Sequence, residues 1–289
     1  STSNIMKQPA SVAIDDSPTH PEDPVQSAGW LARLQGFVQM TRPSVVALVF
    51  FTAVPMMALN DGQWPALSTA VLLIVGIALC AGASSVFNAY IERETDARMT
   101  RTRTRPLPTG LIQPGSALLF AWLLTIAGLA ILVYAGHWLG AVVGALTVAF
   151  YVFVYTIWLK PKTPLNIVIG GAAGAAPPLI VDASLNGSIG WLSVALFGLV
   201  FLWTPPHFWA IALFRKQDYE MAGFPMLPLT HGDDATRRQI LGYSLLMIPF
   251  ALLPAASSQL GLVYGIIAAT ASVWFCLVCW RLLKTAKNK

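Results

Sequence analysis

The sequence predicts an all-α protein, a polytopic transmembrane helical bundle with about eight spans. Three observations carry that prediction. Hydrophobic residues fill 56% of the 289 positions and charged residues only 11%, where a soluble domain carries roughly 25% charged. Apolar runs long enough to cross a bilayer recur along the chain, whose mean hydropathy is +0.64. Finally, all 18 Lys and Arg lie in the N-terminal segment, the loops after the second, fourth and sixth runs, and the C-terminal tail, at or near run ends. By the positive-inside rule both termini and those even-numbered loops face the cytoplasm. The net charge of +5 is therefore a topology signal, and no nucleic-acid partner is expected.

Taken in order, residues 1–28 are rich in Ser, Pro and Asp and lack the apolar core of a signal peptide. They are expected to be a disordered cytoplasmic tail before one transmembrane domain, residues 29–289. Residues 30–40 have the look of a short interfacial helix leading into Arg42-Pro43. Spans are expected near residues 43–59, 66–90, 115–135, 138–159, 165–181, 191–214, 239–253 and 260–283. The far-side turns between them carry only Asp61 and Asp182 as charges. Cys80, Cys276 and Cys279 all sit in apolar spans; with no histidine nearby, Cys276 and Cys279 read as buried hydrophobes rather than a metal pair.

The charge is concentrated in residues 88–110, directly after the second span. Asn88, Glu92 and Asp96 recur every four residues and share one face of a continuing helix. Arg93, Arg98, Arg101, Arg103 and Arg105 follow. Topology accounts for the arginines but not for three oxygen donors at regular spacing across a membrane boundary. Such donors beside guanidinium groups suit a diphosphate held through Mg²⁺. One turn back, Ser84 either joins that face or bonds its own i−4 carbonyl. A second charged loop follows the sixth span, with Arg215, Lys216, Asp218, Tyr219 and Glu220, on the same membrane side. Two such loops can face each other over one cavity. Upstream, Thr204-Pro205-Pro206-His207 lies at membrane depth, where prolines should break the helix and an ionisable histidine is a functional candidate. Before the fifth span, Lys160 and Lys162 add cations at the same surface, and Gly170/Gly174 and Gly140/Gly144 suit close helix packing.

These stretches resemble a known family. NAYIERETDARM, followed by Arg101-Thr102 and Arg105-Pro106-Leu107, is similar to the first signature of the intramembrane prenyltransferases of the UbiA superfamily. TPLNIVIGGAAGAAPP, TPPHFWAIALFRKQDY and AGFPMLP narrow the resemblance to the branch that prenylates haem. It implies a bundle around a central cavity that opens under the cytoplasmic loops, and nine spans rather than the eight legible before the chain stops at KTAKNK. It implies Asn88, Glu92, Asp96 and Asp218 as catalytic Mg²⁺–diphosphate positions. Arg93, Arg101, Arg105, Lys160, Lys162, Asn166, Arg215, Lys216 and Tyr219 are the accompanying substrate-binding candidates, and His207 the haem contact. Tyr90, Trp203, Phe208 and Trp209 are candidates to stabilise an allylic cation. Glu92 departs from the family's usual Asp, keeping the charge on a longer arm. The implied reaction joins farnesyl diphosphate to a vinyl group of haem B, with addition of water, giving haem O and diphosphate. Its setting would be a bacterial inner membrane, with haem A synthase or terminal-oxidase assembly as downstream partners. The alternatives are a prenyltransferase for a quinone-precursor acceptor, a transporter of an anionic lipid or haem, and a haem-binding chaperone.

Overall fold

A backbone deprived of water must satisfy its own hydrogen bonds, so the apolar runs become helices. The computed structural model describes residues 29–60, 62–221, 223 and 225–285, and among them the side chains of Asp218 and Thr285 are not described. The expected N-terminal tail, residues 1–28, lies outside the described residues. Helix α1 (Trp30–Met40) meets α2 (Pro43–Ala58) at a 44° bend. The corner is Arg42, at φ 52° the one non-glycine residue with positive φ among the described residues; it precedes Pro43, whose ring disfavours a helical conformation there. Helix α3 (Leu67–Ile91) is followed by the short α4 (Arg93–Arg98), then α5 (Pro114–Ala135) and α6 (Trp138–Ala149). The α6 span continues as a π-helix, Phe150–Leu159. The fifth span is α7 (Asn166–Ala175) plus α8 (Pro177–Asn186), and the sixth is α9 (Trp191–Phe214). After α10 (Lys216–Met221) and α11 (Leu227–Thr230), α12 (Gly232–Leu252) and α13 (Gly261–Thr285) complete the described fold. Seven of these stretches are long and apolar enough to cross a membrane, or eight when α1 and α2 count as one bent span.

Two sequence expectations need correction. The α9 helix runs unbroken through Pro205 and Pro206, both buried. Proline's fixed φ is compatible with a helix, and in a membrane the neighbouring helices support the freed carbonyls. The seventh span begins at Gly232, not near residue 239, because its first turns carry Asp233, Asp234, Arg237 and Arg238 on a helix that rises out of the apolar zone.

Packing follows small residues. A Cβ on Gly128 would fall 2.9 Å from the Gly76 carbonyl oxygen, so α3 and α5 touch backbone to backbone. Gly140 makes room for the Ser184 side chain of α8, which a Cβ there would overlap. One buried cluster joins α2, α3, α5, α6 and α8, including Val49, Ile77, Leu132 and Ile180. A second joins α7, α9, α11, α12 and α13 around Trp209, Ile240 and Cys279. Cys276 and Cys279 lie against Ser244 of α12, as packing residues do.

Candidate active site

The first charged motif keeps its spacing although the regular helix is interrupted at Glu92. The amide of Glu92 donates to the Asn88 carbonyl at 2.9 Å and that of Asp96 to the Glu92 carbonyl at 2.8 Å, so helical spacing is kept from Asn88 to Asp96. All three side chains are buried: Asn88 is 1%, Glu92 8% and Asp96 4% exposed. Each of the three holds a cation from a different part of the chain.

Arg42, at the α1–α2 corner, donates from Nη2 to Asn88 Oδ1 at 3.0 Å. Lys160 Nζ stands 2.5 Å from Glu92 Oε1. Arg105 Nη1 donates to Asp96 Oδ2 at 2.8 Å. The connection after α4 makes that last contact possible. Thr102 Oγ1 donates to the Asp96 carbonyl at 2.8 Å and the Arg105 amide to the Thr102 carbonyl at 3.0 Å, turning Arg105 back over the acid. The π-helix places Lys160. Its wider register brings the Lys160 amide onto the Tyr155 carbonyl at 2.9 Å, while Tyr155 lies flat enough on Gly170 that a Cβ there would overlap the ring. Asn166 is 1% exposed and donates to the Thr163 carbonyl at 2.7 Å, closing the turn that follows Lys160.

Below this rim lies an apolar chamber. Val45, Leu48 and Val49 of α2, Ile77, Cys80, Ala81, Ser84 and Ser85 of α3, Gly144, Thr147, Val148 and Tyr151 of the α6 span, and Ala173, Gly174, Pro177 and Ile180 of α7–α8 line it. Ser84 Oγ donates to its own i−4 carbonyl, Cys80, at 3.0 Å, so its polarity is spent locally. A second cavity beside the rim includes Arg42, Asp96 and Arg105 in its wall. The site thus offers hard oxygen donors and three cations above an apolar berth, which is what an anionic head on a hydrocarbon tail requires.

The other expected residues are distributed unevenly. Tyr155 is within electrostatic reach of Glu92, Arg42 and Tyr219, so the second loop approaches the first near the π-helix. The Asp218 side chain lies outside the described residues. Lys216 Nζ is 2.9 Å from Asp233 Oδ1 and pairs within its own side of the bundle. Arg93 turns back onto its own helix, donating to the Tyr90 carbonyl at 2.7 Å with its guanidinium 4.7 Å from the Tyr90 ring centroid. Arg101, Lys162 and Arg215 are exposed. Among the described residues no group of three or more His, Cys, Asp and Glu side chains is gathered for a metal, so the donor set described is two carboxylates and the Asn88 amide.

His207 is exposed and stacks on Trp203, ring centroids 4.5 Å apart. Leu196, Val200, Trp203 and His207 form one stripe of α9 at helical spacing, and Leu196 packs against the cluster that contains α2. The histidine lies on that stripe, and it does not line the apolar chamber. None of Tyr90, Trp203, Phe208 and Trp209 lines the chamber; Trp209 is wholly buried, edge-on to Tyr243. The aromatic ring that does line it is Tyr151. Sequence reasoning missed Tyr151 and Arg42, and for Arg42 the signal was available: an arginine directly before the proline that opens a span.

The chain matches the description of the UbiA prenyltransferase family over residues 48–289. It is 47% identical to the protoheme IX farnesyltransferase of Methylobacterium nodulans over 232 residues, 80% of this chain and 73% of that protein. It is 43% identical to the Brucella ovis protein of the same name over 252 residues, 87% of this chain and 80% of that one. Two solved structures share the fold at 18% identity. One is a digeranylgeranylglyceryl phosphate synthase, with a TM-score of 0.72 and coverage of 87% of this chain and 88% of that one. The other is a UbiA homolog from Archaeoglobus fulgidus bound to DMAPP and Mg²⁺, with a TM-score of 0.64 and coverage of 84% and 85%. With a rim of oxygen donors and cations over an apolar chamber, and relatives that agree along most of its length, the chain belongs to the UbiA prenyltransferase family.

Proposed function

We propose that this membrane enzyme transfers the farnesyl group of farnesyl diphosphate to a vinyl group of haem B, with water, giving haem O and diphosphate. The single observation that carries the chemistry is the triple pairing of Asn88, Glu92 and Asp96 with Arg42, Lys160 and Arg105 at the mouth of an apolar chamber. The acceptor rests on the relatives, which share 43–47% identity and the name protoheme IX farnesyltransferase. The rim is assigned to the cytoplasmic side of a bacterial inner membrane, with both termini on that side, from the distribution of Lys and Arg. Haem A synthase or a terminal oxidase would take up the product.

The buried ion pairs explain how the rim can accept a charged substrate. Breaking a buried pair is costly only when one charge is left alone. A diphosphate arriving with a divalent cation supplies a partner to each side: Arg42, Lys160 and Arg105 turn to phosphate oxygens, and the Glu92 and Asp96 carboxylates with the Asn88 amide oxygen suit Mg²⁺, a hard cation. Bound there, Mg²⁺ would neutralise charge on the departing diphosphate. Asp218 is proposed to complete this donor set from the second loop, with Tyr219 beside it. In the transfer, the C1–O bond of the farnesyl group breaks and its electron pair leaves with diphosphate. One vinyl carbon bonds to C1, water adds its oxygen to the other, and a proton is released. The three cations stabilise the negative charge that grows on the leaving group. The chamber keeps water from the allylic carbon, and Tyr151 offers a ring face to its positive charge. His207, held by its stack on Trp203, is proposed as the haem contact.

The test is to incubate the purified protein with haem B, farnesyl diphosphate and Mg²⁺ and to weigh the porphyrin. A product heavier by one farnesyl group and one hydroxyl is expected. An unchanged porphyrin, alongside prenylation of a hydroxybenzoate or naphthoate acceptor, would replace haem with a quinone precursor. Uptake of intact farnesyl diphosphate into vesicles with no transfer would make the chain a transporter.

A further inference from the structure

We propose that Ile77 and Ile180 close the deep end of the chamber and set the length of prenyl chain it accepts, while Gly174 keeps its middle open. This rests on reading the chamber as the berth of the farnesyl tail.

The walls contributed by α3 and by α7–α8 both change character with depth. On α3, descending from the rim, the lining is small at Ser84 and Ala81 and then becomes Ile77. On α7–α8 it is small at Ala173 and Gly174 and then becomes Pro177 and, one turn deeper, Ile180. Both isoleucines are 2% exposed and belong to the same buried cluster, so neither swings aside freely. Gly174 is the converse: a Cβ built on it meets nothing within 4 Å, and its φ is not positive. The glycine is needed neither for helix contact nor for backbone strain, which leaves the space before it as its use.

The depth suits a particular length. Asn88 and Ile77 are eleven residues apart on α3, which is about 16 Å at the helical rise. An extended farnesyl backbone has twelve carbons and spans roughly 13 Å at about 1.2 Å per bond. One more isoprene unit adds four backbone carbons and reaches about 18 Å on the same scale. Three units fit above the isoleucines and four do not.

The experiment offers equal concentrations of geranyl, farnesyl and geranylgeranyl diphosphate with haem B and Mg²⁺, and ranks the products by mass. Binding of the three non-hydrolysable thiodiphosphates is measured separately by calorimetry, without haem. Wild type should favour farnesyl. Ile180→Ala and Ile77→Ala should raise the geranylgeranyl-to-farnesyl ratio by about tenfold or more, the discrimination typical of an apolar pocket. Gly174→Leu, which fills open space and creates no void, should shift preference to geranyl by a similar factor, so the proposal stays testable if an alanine variant fails to fold. Wild type that farnesylates haem, with all folded variants keeping its length ranking in both assays, would falsify the floor. Wild type that neither binds nor transfers any of the three would instead overturn the berth on which it rests.

Discussion

Buried carboxylates stand at both ends of the bundle and are satisfied in opposite ways. At the rim beside α4, Glu92 and Asp96 each hold a cation, Lys160 and Arg105, carried by a long side chain from another element. At the far end, Asp182 of α8 is equally buried, 4% exposed, and the groups that bind it are neutral. Its Oδ1 accepts from Asn186 Nδ2 at 2.8 Å; its Oδ2 accepts from the Gly190 amide at 2.7 Å and Ser193 Oγ at 2.5 Å. Asn186 also reaches Asn60 Oδ1 at 2.9 Å, tying in the end of the first span. Gly190 is the N-cap of α9, so Asp182 caps that helix across a turn and its charge meets the positive end of the helix dipole. Short bonds to neutral donors on short side chains and backbone hold a geometry. Ion pairs on flexible arms can be exchanged for an ionic ligand. The far end therefore carries fixed neutral bonds and the rim carries exchangeable ion pairs.

The sharpest way to break that comparison is to neutralise one acid at each end. Asp96→Asn keeps an oxygen for Arg105 and removes a charge from the donor set. Turnover of haem and farnesyl diphosphate should fall about 10³-fold, in the range lost when one electrostatic contact to the transition state is removed. The thermal midpoint in detergent should move by no more than a few degrees. A large loss of stability with normal turnover would mean that Asp96 is as structural as Asp182. Asp182→Ala should do the reverse. It removes the cap of α9 and strands the Gly190 amide, while Ser193 Oγ keeps the Gly190 carbonyl at 2.9 Å, costing about 1–3 kcal/mol in unfolding free energy. Activity per folded molecule should be retained, since nothing at the rim touches Asp182. Loss of turnover in a correctly folded Asp182→Ala protein would couple the two ends.

Lys160→Gln gives a smaller effect and separates binding from chemistry. Removing a group that supports the binding shell typically costs 10–100-fold, and here the loss should fall mainly on KM for farnesyl diphosphate. A fall confined to kcat would instead place Lys160 at the bond being broken. This prediction sharpens the comparison because it asks whether the rim cations serve the resting fold or the bound substrate.

The two ends also differ in how far the sequence discloses them. The spans were legible because lipid forces each apolar run to become a helix, and the eight expected segments recur within a few residues at most ends. Asn88, Glu92 and Asp96 were legible because they recur at four-residue spacing, which is kept across the junction of α3 and α4. Their partners were harder to foresee. Arg42 lies 46 positions from Asn88 and meets it only because α1 and α2 bend at a left-handed corner. The acidic partner of Lys216 is Asp233, seventeen residues on, which reaches it because α12 begins earlier than hydropathy alone suggests. Asp182 was visible as a far-side acid, but its role depends on a turn that brings Gly190 and Ser193 back to it. The π-helix is the least legible feature, because nothing in its apolar run distinguishes a five-residue register from a four-residue one.

That register yields the smallest effect and the finest test of the rim. Thr156 Oγ1 has one proton and donates it to the Tyr151 carbonyl, five residues back, at 2.9 Å. Toward Asn88 it can then only accept, and Asn88 Nδ2 stands 3.4 Å away. On the other side, Arg42 can only donate, at 3.0 Å, to Asn88 Oδ1. The two neighbours together fix which way the amide points and leave its oxygen on the side of the cations. Thr156→Val removes the acceptor while keeping the shape, so the amide loses one of its two constraints. The Mg²⁺ concentration for half-maximal transfer should rise two- to fivefold, the equivalent of about 0.5–1 kcal/mol for one neutral hydrogen bond. Manganese binding in the presence of diphosphate, followed by electron paramagnetic resonance, should weaken to the same degree. Thr156→Ser should restore both, since it returns the hydroxyl. A metal response identical in the wild-type and valine proteins would show that Arg42 alone orients Asn88, and the π-helix would then contribute Lys160 and nothing more to the rim.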